Sequence, residues 1–337
     1  MITERFVPVA EDVTALQQSE DEQGRFFRHV AVQGHMKGRS RPGVSHQGLY
    51  AFVADGTSLA SANPLDAERT LTLLEEALRR WAEYEERPEL ARTQAPGGLS
   101  SRDLGYPPAG GAVLRVTARD LPRAADAPIQ KDQVRYTRYW NFDHVWLLPE
   151  DVKDLVPESL AVGAERQVDR RLLERIARFH LRDIVRGEPQ VWGPGSVRRF
   201  DLVARVTGRD GNLVNLEITG DVLLREHVAF RDSHTPIDWE FDNELDAAIG
   251  GEASWNEVKG HLERFDIVVA GQRTGAHRYN VRTRDPGPAP IGFAFELAGD
   301  EPWERTPPHV LRAWKRPDED EVPVATTVTG EPYYGKR

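Results

Sequence analysis

The strongest constraint on the fold lies in the second half of the chain, where segments of alternating apolar and polar residues follow one another with turn signals between them. "RRFDLVARVTG" and "NLVNLEITGDVLLR" meet at Asp210-Gly211, and "HLERFDIVVAGQ", "AHRYNVRT" and "IGFAFELAG" continue the series. Residues two apart share one side of a strand, so these segments predict a mostly antiparallel sheet with one buried face. Such a sheet is expected to curl into a sandwich or partial barrel. "RRFDLVA" at 198–204 and "ERFDIVV" at 263–269 share Arg-Phe-Asp, an echo that a match this short owes more readily to two strands under similar constraints than to internal duplication, the alternative. Ahead of the series, "VDRRLLERIARFHLRDIVRG" predicts a helix near 168–186, with Val168, Leu172, Leu173, Ile176 and Phe179 apolar and Gly187 and Pro189 as its stop.

The first 92 residues read differently. "RFVPVA" is expected to be an edge strand, since Pro8 cannot donate to a ladder. "SEDEQGRFFRHVAVQG" predicts a helix with Phe26, Phe27 and Val30 on its apolar side, and a glycine-rich basic loop, "HMKGRSRPG", follows. "GLYAFVADGTSLAS" is a hairpin turning at Asp55-Gly56, and a helix comes next with Ala67, Leu71, Leu74, Leu78 and Trp81 on one stripe. At 337 residues the chain exceeds what one core usually serves, which predicts two domains of overall class α+β. The expected parts are 1–92, a Pro/Gly-rich linker over 93–135 with a strand at 112–118, a β-rich domain over 136–315, and a charged, Pro-rich tail over 316–337 that either lies over the surface or is disordered.

The order strand, helix, strand, strand, helix in the first part resembles the C-terminal two-thirds of the thioredoxin fold. "FVPVAEDV", "GLYAFVADGTSLAS" and the helix from about Asp66 to Tyr84 carry the resemblance, about a quarter of the chain. The family's Cys-x-x-Cys and the proline before its antiparallel strand are missing: the chain has no cysteine, and Gly48 precedes "LYAFV". Without a thiolate there is no thiol–disulfide exchange. The resemblance also implies a missing core strand between "FVPVA" and "LYAFV". "GGAVLRVTARDL" is the expected replacement, with a strand from a second copy as the alternative.

Three groups of residues carry candidate chemistry. In "RYWNFDHVWLLPEDV", Trp140, Phe142, His144 and Trp146 fall on one face of a strand and offer an apolar ligand surface with an imidazole; His180 is a second buried-histidine candidate. "GQRTGAHRYNVRTRDPG" concentrates Arg273, His277, Arg278, Arg282 and Arg284. As a strand it sets Arg278, Arg282 and Arg284 on one face to grip a carboxylate or phosphate. In "SHTPIDWEFDNELDAAIGG", Asp238, Glu240 and Asp242 share a face near His234, a donor set for a hard divalent cation; the simpler reading is a solvated strand face.

These features set the functional expectations. Zero cysteines remove thiolate metal sites and cysteine nucleophiles, and the formal charge of -10 argues against a nucleic-acid partner. Walker, dinucleotide, nucleophile-elbow and zincin motifs are absent. No segment approaches the roughly 18 apolar residues of a membrane-spanning helix, so a cytoplasmic location without membrane contact is expected. The leading expectation is a non-redox binding or accessory protein for a small molecule or a protein partner, with no organic cofactor. A metal-assisted hydrolase and a homo-oligomeric assembly subunit are the alternatives.

Overall fold

The computed structural model describes residues 5–9, 13–18, 20–38, 45–64, 66–84, 110–124, 140–231, 237–301, 304–315, 324–327 and 329–334. The chain divides into two compact units, Met1–Pro96 and Gly97–Arg337.

In the first unit, helices α1 (Val13–Gln18) and α2 (Glu22–Gln33) precede the hairpin of β1 (Leu49–Phe52) and β2 (Ser58–Ala62), and α3 (Ala67–Glu83) follows. Asp21 caps α2 by accepting from the Gly24 amide at 2.7 Å, and Asp66 caps α3 by accepting from the Arg69 amide at 2.8 Å. The turn forms at the expected Asp55-Gly56, with Gly56 at φ 91 and the Asp55 carboxylate accepting from the Thr57 amide. Ala51, Val53, Leu59 and Ala77 form its core, and Phe6, Trp81 and Tyr84 pack against it. Two expectations are corrected. Residues 6–9 are irregular, with Val7 and Val9 exposed and only Phe6 anchored, so no strand forms there. The buried stripe of α3 runs through Leu73, Leu74 and Ala77, while Leu71 faces water.

The second unit is built on one antiparallel eight-stranded sheet. Its strands are β3 (Ala112–Asp120), β4 (Trp140–Leu147), β5 (Glu165–Gln167), β6 (Val197–Asp210), β7 (Leu213–Arg231), β8 (Asp238–Asn256), β9 (His261–Thr274) and β10 (Ala289–Leu297). Their order across the sheet is β4-β3-β10-β9-β8-β7-β6-β5. Helix α4 (Pro149–Asp154) follows β4, and α5 (Arg170–His180) contacts both β4, at one edge, and β6, beside the other. A helix of this length reaches strands near both margins only if the sheet curls towards it. Every second residue of β7, from Val214 through Leu216 and Ile218 to Val222 and Leu224, enters the resulting core together with Leu172, Leu173 and Ala177 of α5.

β3 was expected to complete the sheet of the first unit, and it does not. β4 and β10 occupy its two edges, so it has no edge left to offer, and Val113 and Leu114 are buried on opposite faces. β1 pairs with β2 only, among the described residues. Helix α5 ends at His180, short of the expected 186, and Leu181–Arg186 continue as a buried non-helical segment. The expected tail is corrected in part: a short hairpin of β11 (Leu311–Lys315) and β12 (Val324–Thr327) leads to Tyr333, which is 0% exposed among Val113, Trp146, Phe179 and Val191. Residues 316–323 lie outside the described residues.

Candidate functional site

Several charged side chains of the second unit turn inward, and burial of charge is costly unless each group is paired. The stretch after α5 begins this arrangement. Leu181 and Ile184 enter the core, whereas Arg182, Asp183 and Arg186 meet charges from three other elements. Gly187 lets the segment approach the 277–285 turn, since a Cβ there would lie 1.9 Å from the Tyr279 carbonyl oxygen.

Arg282 is the centre of the larger cluster and is fully buried. Its Nε and Nη2 donate to Asp183 at 2.7 and 2.9 Å, and its Nη2 and Nη1 donate to Asp120 at 2.6 and 3.1 Å. Arg186 donates to Asp120 at 3.0 Å, and Arg273 donates to the Asp285 carboxylate and carbonyl at 3.0 and 2.9 Å. The ends of β3 and β9, the segment after α5 and the turn before β10 are thereby tied together. Burial pushes the Asp183 carboxyl up, but Arg282, Arg273 and Arg186 outweigh it and hold the group below its ordinary range.

A second cluster centres on Asp143 and includes Arg182. The Oδ1 of Asp143 accepts from the backbone amides of His144 and His309 at 2.7 and 2.8 Å. Its Oδ2 lies 3.6 Å from Arg182 Nη2 and 3.7 Å from His180 Nδ1. His180 Nε2 is 2.8 Å from the Tyr333 hydroxyl, which also accepts from the Trp146 amide at 3.3 Å. Burial keeps His180 neutral, with Asp143 opposing that shift. Burial works against ionisation of Asp143 too, but His180, His309 and Arg182 hold it at about 2.

Between these clusters lies a cavity of about 20 Å³, lined by Arg182, Asp183, Asn243, Arg273 and His277, with Trp192 and Phe293. Asn243 Nδ2 donates to the Ala276 carbonyl at 3.2 Å and approaches His277 Nε2 at 3.0 Å. His277 Nε2 is therefore the acceptor, and the ring proton sits on Nδ1. Burial pushes His277 down to about 4, so the ring is neutral at pH 7. Gly275, at φ 90, permits this packing, because a Cβ would fall 1.7 Å from Asn243 Oδ1. Four buried atoms of the lining residues lack a hydrogen-bond partner: Arg182 Nη2, Arg273 Nε, His277 Nδ1 and Asn243 Oδ1. Three are donors and one is an acceptor.

The sequence-derived candidates scatter around this centre. Trp140, Phe142, His144 and Trp146 do share one face of β4, but the stripe runs from Trp140, 55% exposed, to Trp146, fully buried against Tyr333 and Phe179. His144 is buried, with Nδ1 2.9 Å from the Thr306 hydroxyl. Arg278, Arg282 and Arg284 do not form a strand face, because residues 278–285 make successive turns. Arg282 turns inward, while Arg284 is exposed and Arg278 lies over the Tyr279 ring at 5.1 Å. Asp238, Glu240 and Asp242 share a strand face as expected, but Asp238 pairs with Arg231 at 3.4 Å and Asp242 with His227 at 3.0 Å. Among the described residues no group of three His, Asp or Glu side chains is arranged to hold a metal ion, and His234 lies outside them. Nor is any helix of the described residues long and apolar enough to cross a membrane.

Asp120, Asp143, Arg182, Asp183, Arg186, Asn243 and Tyr333 escaped the sequence reading. One signal for part of this set was present: Arg182, Asp183 and Arg186 interrupt an otherwise apolar run, "FHLRDIVRG". Comparisons with family models, with curated proteins and with solved structures show no match to this chain.

Proposed function

We propose that the chain is a non-redox binding protein whose β-rich unit takes a small carboxylate bearing a hydroxyl or amino donor, the inner cavity, about one water molecule in size as it stands, widening to admit it. The first unit, with its thioredoxin-like hairpin and helix and no thiol, serves as an accessory module. One observation supports the site: four buried atoms without a hydrogen bond, three N–H donors and one carbonyl oxygen, belong to residues around a single cavity, where Arg182 Nη2 and Arg273 Nε have only the more distant Asp143 and Asp183 carboxylates at 3.6 and 3.5 Å. Buried polar groups are normally satisfied, so a set of four calls for a partner. Carboxylate oxygens suit the guanidinium and imidazole N–H groups, and a hydroxyl suits Asn243 Oδ1.

Thermal unfolding in rising glycolate, with acetate as the control, tests this reading. Glycolate is expected to raise Tm in a saturable way, by about 5–10 °C at a hundredfold excess over Kd, and acetate by less. Asn243→Leu is expected to erase the difference between the two ions. A Tm indifferent to both would defeat the proposal.

A further inference from the structure

We infer a second binding site, beyond the one just proposed, on the outer face of the curled sheet, for a planar aromatic carboxylate. At the exposed start of β4, Trp140 and Phe142 stack with ring centres 6.3 Å apart and an interplanar angle of 26°. Directly across the ladder, β3 places Arg119 opposite Trp140 and Thr117 opposite Phe142. The next strands continue both rows with small residues: Gly292 and Ala270 beside Arg119, and Ala294 and Val268 beside Thr117. Short side chains beside an indole leave a hollow of about 600 Å³, within the range of about 300–1,000 Å³ typical of small-molecule sites.

Charge selects the occupant. Arg115, at one end of the hollow, is held by Glu296 at 2.7 Å. Arg119 is exposed and pairs with no other group among the described residues. A free guanidinium beside an aromatic shelf matches a flat ring that stacks on Trp140 and carries a carboxylate for the two parallel N–H bonds of Arg119.

Titration calorimetry with 2-naphthoate, and with 2-naphthalenemethanol as the uncharged control, tests the site. One equivalent of naphthoate is expected to bind. Arg119→Gln should weaken it about tenfold and leave the alcohol unchanged, because only the charge-assisted bond is lost. Trp140→Ala should weaken both ligands, and Asn243→Leu neither, which separates this site from the inner cavity. Trp140 and Arg119 are exposed, so both variants are expected to keep the parent's unfolding midpoint. The inference fails if naphthoate does not bind, if it binds the Trp140→Ala, Arg119→Gln double variant as tightly as the parent, or if the chain forms dimers that Trp140→Ala dissolves.

Discussion

Arg282 and Arg225 both answer carboxylates in the same unit, and their surroundings could hardly differ more. Arg225 stands where the β7–β8 hairpin leaves the sheet: its partner Glu244 makes the last rung with β9, and the residues beyond pair only with each other. There one face carries cross-strand ion pairs, Arg225 with Glu244 at 2.5 Å and Arg231 with Asp238 at 3.4 Å, and a contact of His227 with Asp242 at 3.0 Å, while Phe230, Trp239 and Phe241 stack on the other. Water screens the ion pairs, and each member keeps an alternative partner in solvent. Arg282 has no such alternative. Enclosed by Asp120 and Asp183, it cannot be removed without taking the closest partner from two carboxylates inside the protein, leaving Asp120 to Arg186 at 3.0 Å and Asp183 to Arg273 at 3.5 Å. Identical residue types thus secure the geometry of the core in one place and keep a protruding hairpin hydrated in the other.

That contrast can be broken most directly at Arg282. Arg282→Met is expected to cost about 3 kcal/mol or more in urea-induced unfolding. A loss below about 1 kcal/mol would put the buried cluster in the same class as the surface pairs.

Acid should sharpen the difference next. His277 is neutral in the fold, with its pKa depressed to about 4, whereas an unfolded histidine titrates near 6.5. Between those values the unfolded chain binds more protons, so stability rises with pH. The contribution is complete above about pH 6.5 and is lost as pH falls towards 4, to the extent of about 3 kcal/mol. His180 and His144, also depressed by burial, add to the same trend. Equilibrium unfolding of the parent and of His277→Phe between pH 7 and 4 checks this: the variant is expected to show the shallower dependence, and parallel curves would count against a buried neutral ring.

The smallest effect is expected on the hairpin. Arg225→Gln should change stability by less than about 1 kcal/mol, and that change should shrink further in 0.5 M salt. A large loss indifferent to salt would mean that this face is covered.

How much of this was legible in the sequence depends on the range of the interaction involved. The period-two pattern of β7 and the Asp55-Gly56 and Asp210-Gly211 turns are set by neighbours along the chain, and the structure carries both hairpins where the sequence places them. Asp238, Glu240 and Asp242 share one strand face for the same local reason. The period of a strand, which sets Arg278, Arg282 and Arg284 on one face, does not apply to this segment: Asn280 accepts from the His277 and Arg282 amides and holds it in turns, so one arginine points inward. Asp143 sits next to His144 in an aromatic strand, and nothing local distinguishes it from an ordinary surface aspartate.

The sequence by itself determined that the chain has no thiol chemistry, that its second half forms antiparallel strands, and where several turns fall. These follow from residue identity and from spacings of two to four residues. Only the tertiary structure decided that β3 joins the large sheet, that Tyr333 enters the core from the far end of the chain, and that Asp120, Asp183 and Arg282 meet. Each of those contacts joins positions tens to hundreds of residues apart. Its free energy exists only once the curled sheet has enclosed it and the exclusion of water has made the pairing strong.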